Sequence, residues 1–105
     1  MIVRDSEFPQ NPIKAMQRGF EQAEKAFLEY AHSESHAENG SVQRSGSCAI
    51  VVLIVGDVAY VANVGDSRAF MSMDEGTKIV QLSVDHKPES EAETKRIELN
   101  GGKVY

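Results

Sequence analysis

The residues best suited to chemistry in this 105-residue chain lie in the segment Val61-Ala-Asn-Val-Gly-Asp-Ser-Arg68. A β-prone run ends here in a glycine turn that carries a carboxylate, a hydroxyl and a guanidinium on the consecutive residues Asp66, Ser67 and Arg68. Asp66 could donate one oxygen to a hard divalent cation, although a single carboxylate cannot hold such an ion alone. The alternative is that Asp66 accepts backbone N–H groups of its own turn. The turn is therefore a candidate metal-ligand position that needs further ligands.

The residue types near Asp66 restrict the roles that these side chains can have. Nothing near Ser67 in the sequence provides a histidine base, which disfavours a nucleophilic serine. Arg68 could bind a phosphate group through two hydrogen bonds, but an ion pair with Asp66 or Asp85 is the favoured interpretation. Asn63 is predicted to form hydrogen bonds that shape the same turn. No residue of the turn is therefore assigned a catalytic role.

Three other places in the chain hold side chains that could do chemistry. Asp85 and His86 look like an acid–base pair, but no second base or nucleophile accompanies them. His32 and His36 would share one face of a helix as metal ligands, yet the serines and glycine around them disfavour a helix. Cys48 has no second cysteine with which to form a disulfide. It is predicted to be a small buried side chain, with a reactive thiol as the alternative.

A long amphipathic helix is predicted over residues 11–31. Asn11 is a suitable N-cap and Pro12 suits the first helical position. One apolar stripe then recurs at spacings of three and four, and it comprises Ile13, Met16, Phe20, Ala23, Phe27 and Tyr30. The stripe is predicted to pack on the chain's own sheet, with a partner helix as the alternative. A polar loop over 32–44 follows.

Antiparallel strands are predicted within residues 46–83. The apolar run Cys48–Val55 and the return strand Val58–Val64 flank a tight turn at Gly56-Asp57. A second hairpin joins strands at 69–73 and 78–82. The four strands are predicted to form one antiparallel meander.

A second helix is predicted to begin at Pro88 and to end at Asn100-Gly-Gly102, with acidic residues in its first turns. Helices beside antiparallel strands define the α+β class. One helix can hardly cover strands this apolar or protect their edges. We therefore expect the chain to be part of a larger domain, with self-association or a completing partner chain as the alternatives.

Charge and composition exclude several kinds of partner. The formal net charge of −5 disfavours nucleic acid and anionic membranes, which favour basic patches. No apolar run approaches the ~18 residues of a membrane span. The acidic amino terminus lacks the apolar core of a signal peptide. These features predict a soluble cytoplasmic protein.

Four motifs occur in a specific order along the chain. They are Ser45-Gly-Ser-Cys-Ala49, Val61–Ala69, Gln81–Pro88, and Glu93 followed by Arg96-Ile97 and Gly101–Val104. As an ordered set they resemble the central portion of type 2C protein phosphatases, the metal-dependent serine/threonine phosphatases of the PPM family. The resemblance extends from about Pro9 to Tyr105.

The resemblance implies a fragment of a four-layer α-β-β-α sandwich, in which antiparallel sheets are flanked by helices. It also implies dephosphorylation of phosphoserine and phosphothreonine proteins by a water that bridges two Mg²⁺ or Mn²⁺ ions. Asp66 is the one position carried over as a metal ligand, for an additional and weakly held ion. Asp85 would anchor the loop before Pro88, and residues 88–105 would begin the flap beside the catalytic cleft. Cys48 stands where the family more often has threonine.

The chain departs from the family pattern in the ligands that it lacks. The Asp-Gly-His-Gly-Gly motif, the upstream segment with its arginine and glutamate, and the later aspartates are absent from the sequence. The resemblance therefore predicts a parent enzyme and a piece that is inactive alone. The alternatives are a catalytically dead phosphatase-like binding or regulatory module, and a β-rich scaffold piece that is stable only as an oligomer.

Overall fold

A computed structural model describes residues 1–33 and 44–105 of the chain. Helix α1 spans Pro12–His32 and helix α2 spans Glu91–Leu99, while the strands are β1 Ala49–Val55, β2 Val58–Val64, β3 Phe70–Met73 and β4 Lys78–Gln81. Short 3-10 helices occupy Ile2–Arg4 and Asp74–Gly76. Helices and paired strands confirm the α+β class. The predicted loop over 32–44 lies almost wholly outside the described residues.

Helix α1 begins where the capping residues predict. The Asn11 side chain accepts a hydrogen bond from the Lys14 backbone N–H at 3.2 Å, and Pro12 occupies the first turn. Of the predicted apolar stripe, Met16 is buried, but Ile13 is 57% exposed and Tyr30 is 50% exposed. Packing on the chain's own sheet is therefore wrong for Ile13, whose side chain lies mostly open to solvent.

The amino-terminal residues pack on the first half of α1. Ile2 fills the space above Gly19, where an added Cβ would lie 2.7 Å from the Ile2 Cγ1 atom. Arg18 donates a hydrogen bond from Nη1 to Asp5 Oδ1 at 3.1 Å, and the Asp5 side chain is only 9% exposed. A small residue and an ion pair thus hold this segment on the helix.

The strands form two separate two-stranded sheets, β1–β2 and β3–β4. Both predicted hairpins are present, and Phe70 pairs with Gln81 at one end of the antiparallel β3–β4 ladder. The predicted single four-stranded meander is wrong. The strands separate into two sheets because the chain leaves the extended conformation after β2, where Gly65 takes a φ of +106° before β3 begins.

Helix α2 begins three residues later than predicted. Pro88 lies in a turn in which the Ser90 N–H donates to the Lys87 carbonyl and Thr94 Oγ1 donates to the Pro88 carbonyl. The helix ends as predicted, because Gly101 takes a φ of +81° and the N–H of Gly102 returns to the Ile97 carbonyl at 2.9 Å.

Two compact units divide the chain. One comprises Met1–Gly46 with Val52–Tyr60, and it holds α1 and the tip of the β1–β2 hairpin. The other comprises Ser47–Val51 with Val61–Tyr105, and it holds the open end of that hairpin, β3, β4 and α2. Every residue of the candidate site described below belongs to this second unit.

The strands carry large apolar side chains that lie open to solvent. Ile54 is 72% exposed, Ile79 is 73% exposed and Phe70 is 56% exposed. Among the described residues, the buried apolar side chains are those of Pro12, Ala15, Met16 and Ala31, all in α1. Such strands normally bury one face against another layer.

Within the described ranges, neither helix has both the length and the apolar character needed to cross a membrane.

Candidate functional site

The turn after β2 depends on a glycine. Gly65 has a φ of +106°, a conformation that side-chain-bearing residues rarely adopt. A Cβ added at Gly65 would lie 2.8 Å from Cys48 Cβ and would overlap the Cys48 sulfur. Gly65 therefore lets the turn approach the start of β1, and it brings the next residue, Asp66, beside Cys48.

Asp66 presents an exposed carboxylate at this turn. Its Oδ1 accepts a hydrogen bond from the Cys48 thiol, with a sulfur–oxygen distance of 3.4 Å. Within residues 1–33 and 44–105, no ion pair and no backbone N–H engages this carboxylate. A thiol is a weak donor. The carboxylate therefore keeps most of its capacity to bind a hard cation.

Arg68 is held by Asp85, one of the two carboxylates that the sequence offered as its ion-pair partner. Arg68 Nε lies 2.8 Å from Oδ1 and 2.9 Å from Oδ2 of Asp85, and Nη2 lies 2.7 Å from Oδ2. The hydrogen bond from Arg68 lowers the pKa of Asp85, and the same bond raises the pKa of Arg68. The guanidinium is thus directed at a carboxylate, which disfavours the alternative phosphate-binding role.

Asn63 joins the turn to the segment after β4. Its Nδ2 donates to the Gly65 carbonyl at 3.0 Å and to the Val84 carbonyl at 2.8 Å. The Gly65 carbonyl also accepts the His86 backbone N–H at 2.9 Å. The prediction that Asn63 shapes this turn is confirmed. Its Oδ1 is buried and has no hydrogen-bond partner among the described residues.

The other candidate side chains are not brought into a catalytic arrangement. Neither the Ser67 hydroxyl nor the His86 imidazole forms a hydrogen bond within the described part of the chain. The Nδ1 atom of His32 forms a hydrogen bond with the Leu28 carbonyl oxygen at 2.7 Å. His36, the other histidine of the candidate metal pair, lies outside the described residues. These positions support no general base and no nucleophile.

Cys48 is exposed, so its predicted burial is wrong. The apolar run that contains it suggested a strand residue, but β1 begins one residue later at Ala49. Cys48 instead lies against Gly65 and Asp66. Sequence reasoning missed this contact because nothing in the spacing of residues 48 and 66 indicates that they meet.

Ser83 is a residue of this region that the sequence did not single out. Its Oγ accepts the Ala69 backbone N–H at 3.0 Å, and the residue is 9% exposed. It lies two residues after the end of β4 and directly before Val84, whose carbonyl accepts a hydrogen bond from Asn63. Its position inside the motif Gln81–Pro88 was the available indication of a structural role.

Asp66 fits a metal site as one oxygen ligand among several. Mg²⁺ and Mn²⁺ prefer carboxylate, carbonyl and water oxygens. In the described part of the chain, no group of three or more His, Cys, Asp or Glu side chains is placed to hold a metal ion. These residues could therefore supply one ligand to a site whose remaining ligands lie elsewhere.

An α+β piece with one exposed metal-ligand candidate on a braced glycine turn suits part of a metal-dependent enzyme domain. A family model described as "Protein phosphatase 2C" matches residues 1–105. The chain belongs to the protein phosphatase 2C family.

Two curated relatives match nearly the whole chain, and a third matches somewhat more than half of it. Probable protein phosphatase 2C 22 from Arabidopsis thaliana is 39% identical over 104 residues, which are 99% of this chain and 24% of that protein. Probable protein phosphatase 2C 52 from Oryza sativa subsp. japonica is 40% identical over 103 residues, which are 98% of this chain and 19% of that protein. Probable protein phosphatase 2C 6 from Paramecium tetraurelia is 53% identical over 60 residues, which are 57% of this chain and 20% of that protein.

The chain therefore spans about a quarter or less of the length of these relatives. No solved structure matches it.

Proposed function

We propose that this chain is the central part of a phosphatase domain that removes phosphate from phosphoserine and phosphothreonine residues of proteins. The observation that carries the proposal is the family match along residues 1–105, together with relatives that are named protein phosphatases. The structure adds that two of the ordered motifs meet, because Arg68, two residues after Asp66, donates hydrogen bonds to Asp85.

The complete domain would be the four-layer α-β-β-α sandwich. Two observations support this architecture: each sheet has only two strands, and their apolar side chains lie open to solvent. Layers supplied from outside the chain would cover side chains such as Ile54, Phe70 and Ile79. The isolated residues 1–105 would instead cover them by self-association, which sedimentation velocity would detect as dimers or larger species.

In the complete domain, Asp66 would be a metal ligand, with Mg²⁺ or Mn²⁺ as the ion. When bound, the metal ions would lower the pKa of a water and neutralise charge on the phosphoryl oxygens. Asp66 would contribute one oxygen, which is exposed and has no ion-pair partner among the described residues. Arg68 would not contact the phosphate, because its hydrogen bonds go to Asp85.

The chain alone would be inactive. Its described residues offer a single candidate ligand, whereas two-metal hydrolysis needs both ions held in place. The test compares release of phosphate from a phosphothreonine peptide by the complete protein and by residues 1–105, each with Mn²⁺ and with chelator. Activity of the complete protein alone, lost with chelator, is the expected result.

The principal alternative is a catalytically dead, phosphatase-like binding or regulatory module. The same measurement separates the two functions. A complete protein that binds the phosphothreonine peptide but releases no phosphate with Mg²⁺ or Mn²⁺ would contradict the proposed enzyme and favour this module.

A further inference from the structure

We propose that Asn63 is the positioning residue for the Asp66 carboxylate, and that the Arg68–Asp85 pair is its second support. Asp66 would then be aimed by a brace that links the turn after β2 to the segment after β4. The inference deepens the proposed function, since it assumes that Asp66 binds a divalent cation.

The first support fixes the peptide group that precedes Asp66. The Gly65 carbonyl belongs to that peptide, and it accepts hydrogen bonds from Asn63 Nδ2 at 3.0 Å and from the His86 N–H at 2.9 Å. Two donors on one carbonyl restrict rotation of the peptide plane. Because that plane helps to set the direction of the Asp66 Cα–Cβ bond, the brace acts on the carboxylate through the backbone.

The Asn63 amide is specific in its orientation. The Nδ2 group donates both of its hydrogens to carbonyl oxygens, those of Gly65 and Val84. A carboxylate of the same shape would place oxygen against oxygen at both contacts and could donate neither bond. The position therefore requires an amide, and an isosteric Asn63→Asp substitution removes both hydrogen bonds without leaving a cavity. The negative charge that it adds would by itself strengthen cation binding, so weaker binding in this variant reports the lost hydrogen bonds.

The second support holds the other side of Asp66. Arg68, two residues after Asp66, donates to both oxygens of Asp85 at 2.7–2.9 Å. Asp85 adjoins Val84, which accepts from Asn63, and His86, which donates to Gly65. The segment Val84–His86 is thus bound to residues on both sides of Asp66: to Asn63 and Gly65 before it and to Arg68 after it.

Asp66 needs such support because its own contacts do not orient it. The one hydrogen bond to its carboxylate within the described ranges is the weak one from Cys48 at 3.4 Å. A metal ligand held by so little gains its direction from the backbone. Loss of groups that orient a ligand typically costs about 10–100-fold in metal affinity, and we expect a loss of about 10-fold for Asn63→Asp.

The test is a double-mutant cycle on direct Mn²⁺ binding by the complete protein. Free Mn²⁺ is measured by electron paramagnetic resonance for the wild type, Asn63→Asp, Asp66→Asn and the double variant. Gln81→Ala is the matched control, because Gln81 Nε2 also donates to a backbone carbonyl, that of Ser83 at 2.7 Å, without reaching the turn.

Asp66→Asn is expected to lower the Mn²⁺ affinity of one class of site. Asn63→Asp is expected to lower the affinity of that same class about 10-fold. The double variant should then bind as Asp66→Asn does, since positioning acts only through the carboxylate. Gln81→Ala should bind as the wild type. Thermal unfolding of each variant reports whether the fold is retained.

Three results would overturn the inference. Asn63→Asp could leave Mn²⁺ affinity unchanged, or it could lower the affinity equally in the wild type and in Asp66→Asn. The third such result is that Asp66→Asn binds Mn²⁺ as tightly as the wild type does. If Asn63→Asp does not fold, Asp85→Asn is measured in the same cycle. It should weaken the same site, and unchanged binding in that variant would also overturn the inference. A wild type that binds Mn²⁺ through Asp66 but releases no phosphate would contradict the proposed function alone.

Discussion

At the scale of single residues, Gly65 decides whether the candidate site can form. Its positive φ turns the chain away from β2, and its missing side chain admits Cys48 and sets Asp66 beside it. Neither requirement can be met by another residue without strain. The turn is thus fixed sterically before any metal or partner is considered.

Gly65→Ala is expected to destabilise the complete protein by about 2–5 kcal/mol, from backbone strain together with the overlap with Cys48. Gly56→Ala is the control, since Gly56 also has a positive φ, of +59°, but no atom within 4 Å of an added Cβ. That change should cost about 1–2 kcal/mol. Urea unfolding measures both, and equal losses would contradict the steric role assigned to Cys48.

Asp85 gives the brace a dependence on pH. Its pKa is lowered chiefly by the hydrogen bond from Arg68, so the folded state favours the ionised carboxylate. The resulting stability is present above the pKa of the unfolded chain and is lost as pH falls through the lowered pKa of the folded state. The pair is partly exposed, with side chains 50% and 16% accessible, so salt should weaken it.

Asp85→Asn should therefore lower the melting temperature near neutral pH and narrow its difference from the wild type as the solution is acidified. Glu93, whose pKa is lowered by its hydrogen bond from Arg96, contributes in the same direction in both proteins. The difference between variant and wild type isolates Asp85. A difference that stays constant from pH 7 to strong acid would contradict this ionic role.

At the scale of elements, local capping chemistry predicted more than tertiary pairing. The start of α1 at Asn11 and the end of α2 at Gly101 follow from hydrogen bonds within a few residues, and both were predicted. The start of α2 was placed too early because Pro88 suits a helix start and a turn equally. The prediction of a single sheet was wrong because the pattern of apolar residues within the strands does not show that the chain turns at Gly65, between β2 and β3.

The two helix starts offer a test of this local control. Asn11→Ala should cost about 1 kcal/mol, because the Asn11 side chain caps the Lys14 N–H. Ser90→Ala at the start of α2 is the control, since Ser90 makes no side-chain capping bond, and it should cost no more than a few tenths of a kcal/mol. Equal effects in thermal unfolding of the complete protein would show that capping does not set the start of α1.

At the scale of the whole molecule, the described residues form helices and paired strands but bury few side chains. The exposed side chains Ile54 and Ile79, and a site with one candidate ligand in the described residues, have the same explanation. Both the covering layers and the further ligands would come from the remainder of a phosphatase domain. The sequence predicted an ion pair of Arg68 with Asp66 or Asp85 and the role of Asn63, and the structure shows Asp85 as the partner.

The rest of the site could not be predicted from sequence. The contact between Cys48 and Asp66 depends on a close approach that only the folded turn reveals. The ligands that would complete the site belong to no motif of this chain. Above all, we propose that Asp66 is a metal ligand of a working phosphatase.

The most direct test is the initial rate of phosphate release from a phosphothreonine peptide, measured against Mn²⁺ concentration for the complete protein and its Asp66→Asn variant. Asp57→Asn is the matched control, since Asp57 is an exposed carboxylate in the β1–β2 turn. The account predicts that Asp66→Asn needs at least about 10-fold more Mn²⁺ for half-maximal rate, and that Asp57→Asn follows the wild type. Identical Mn²⁺ curves for the wild type and Asp66→Asn would contradict it.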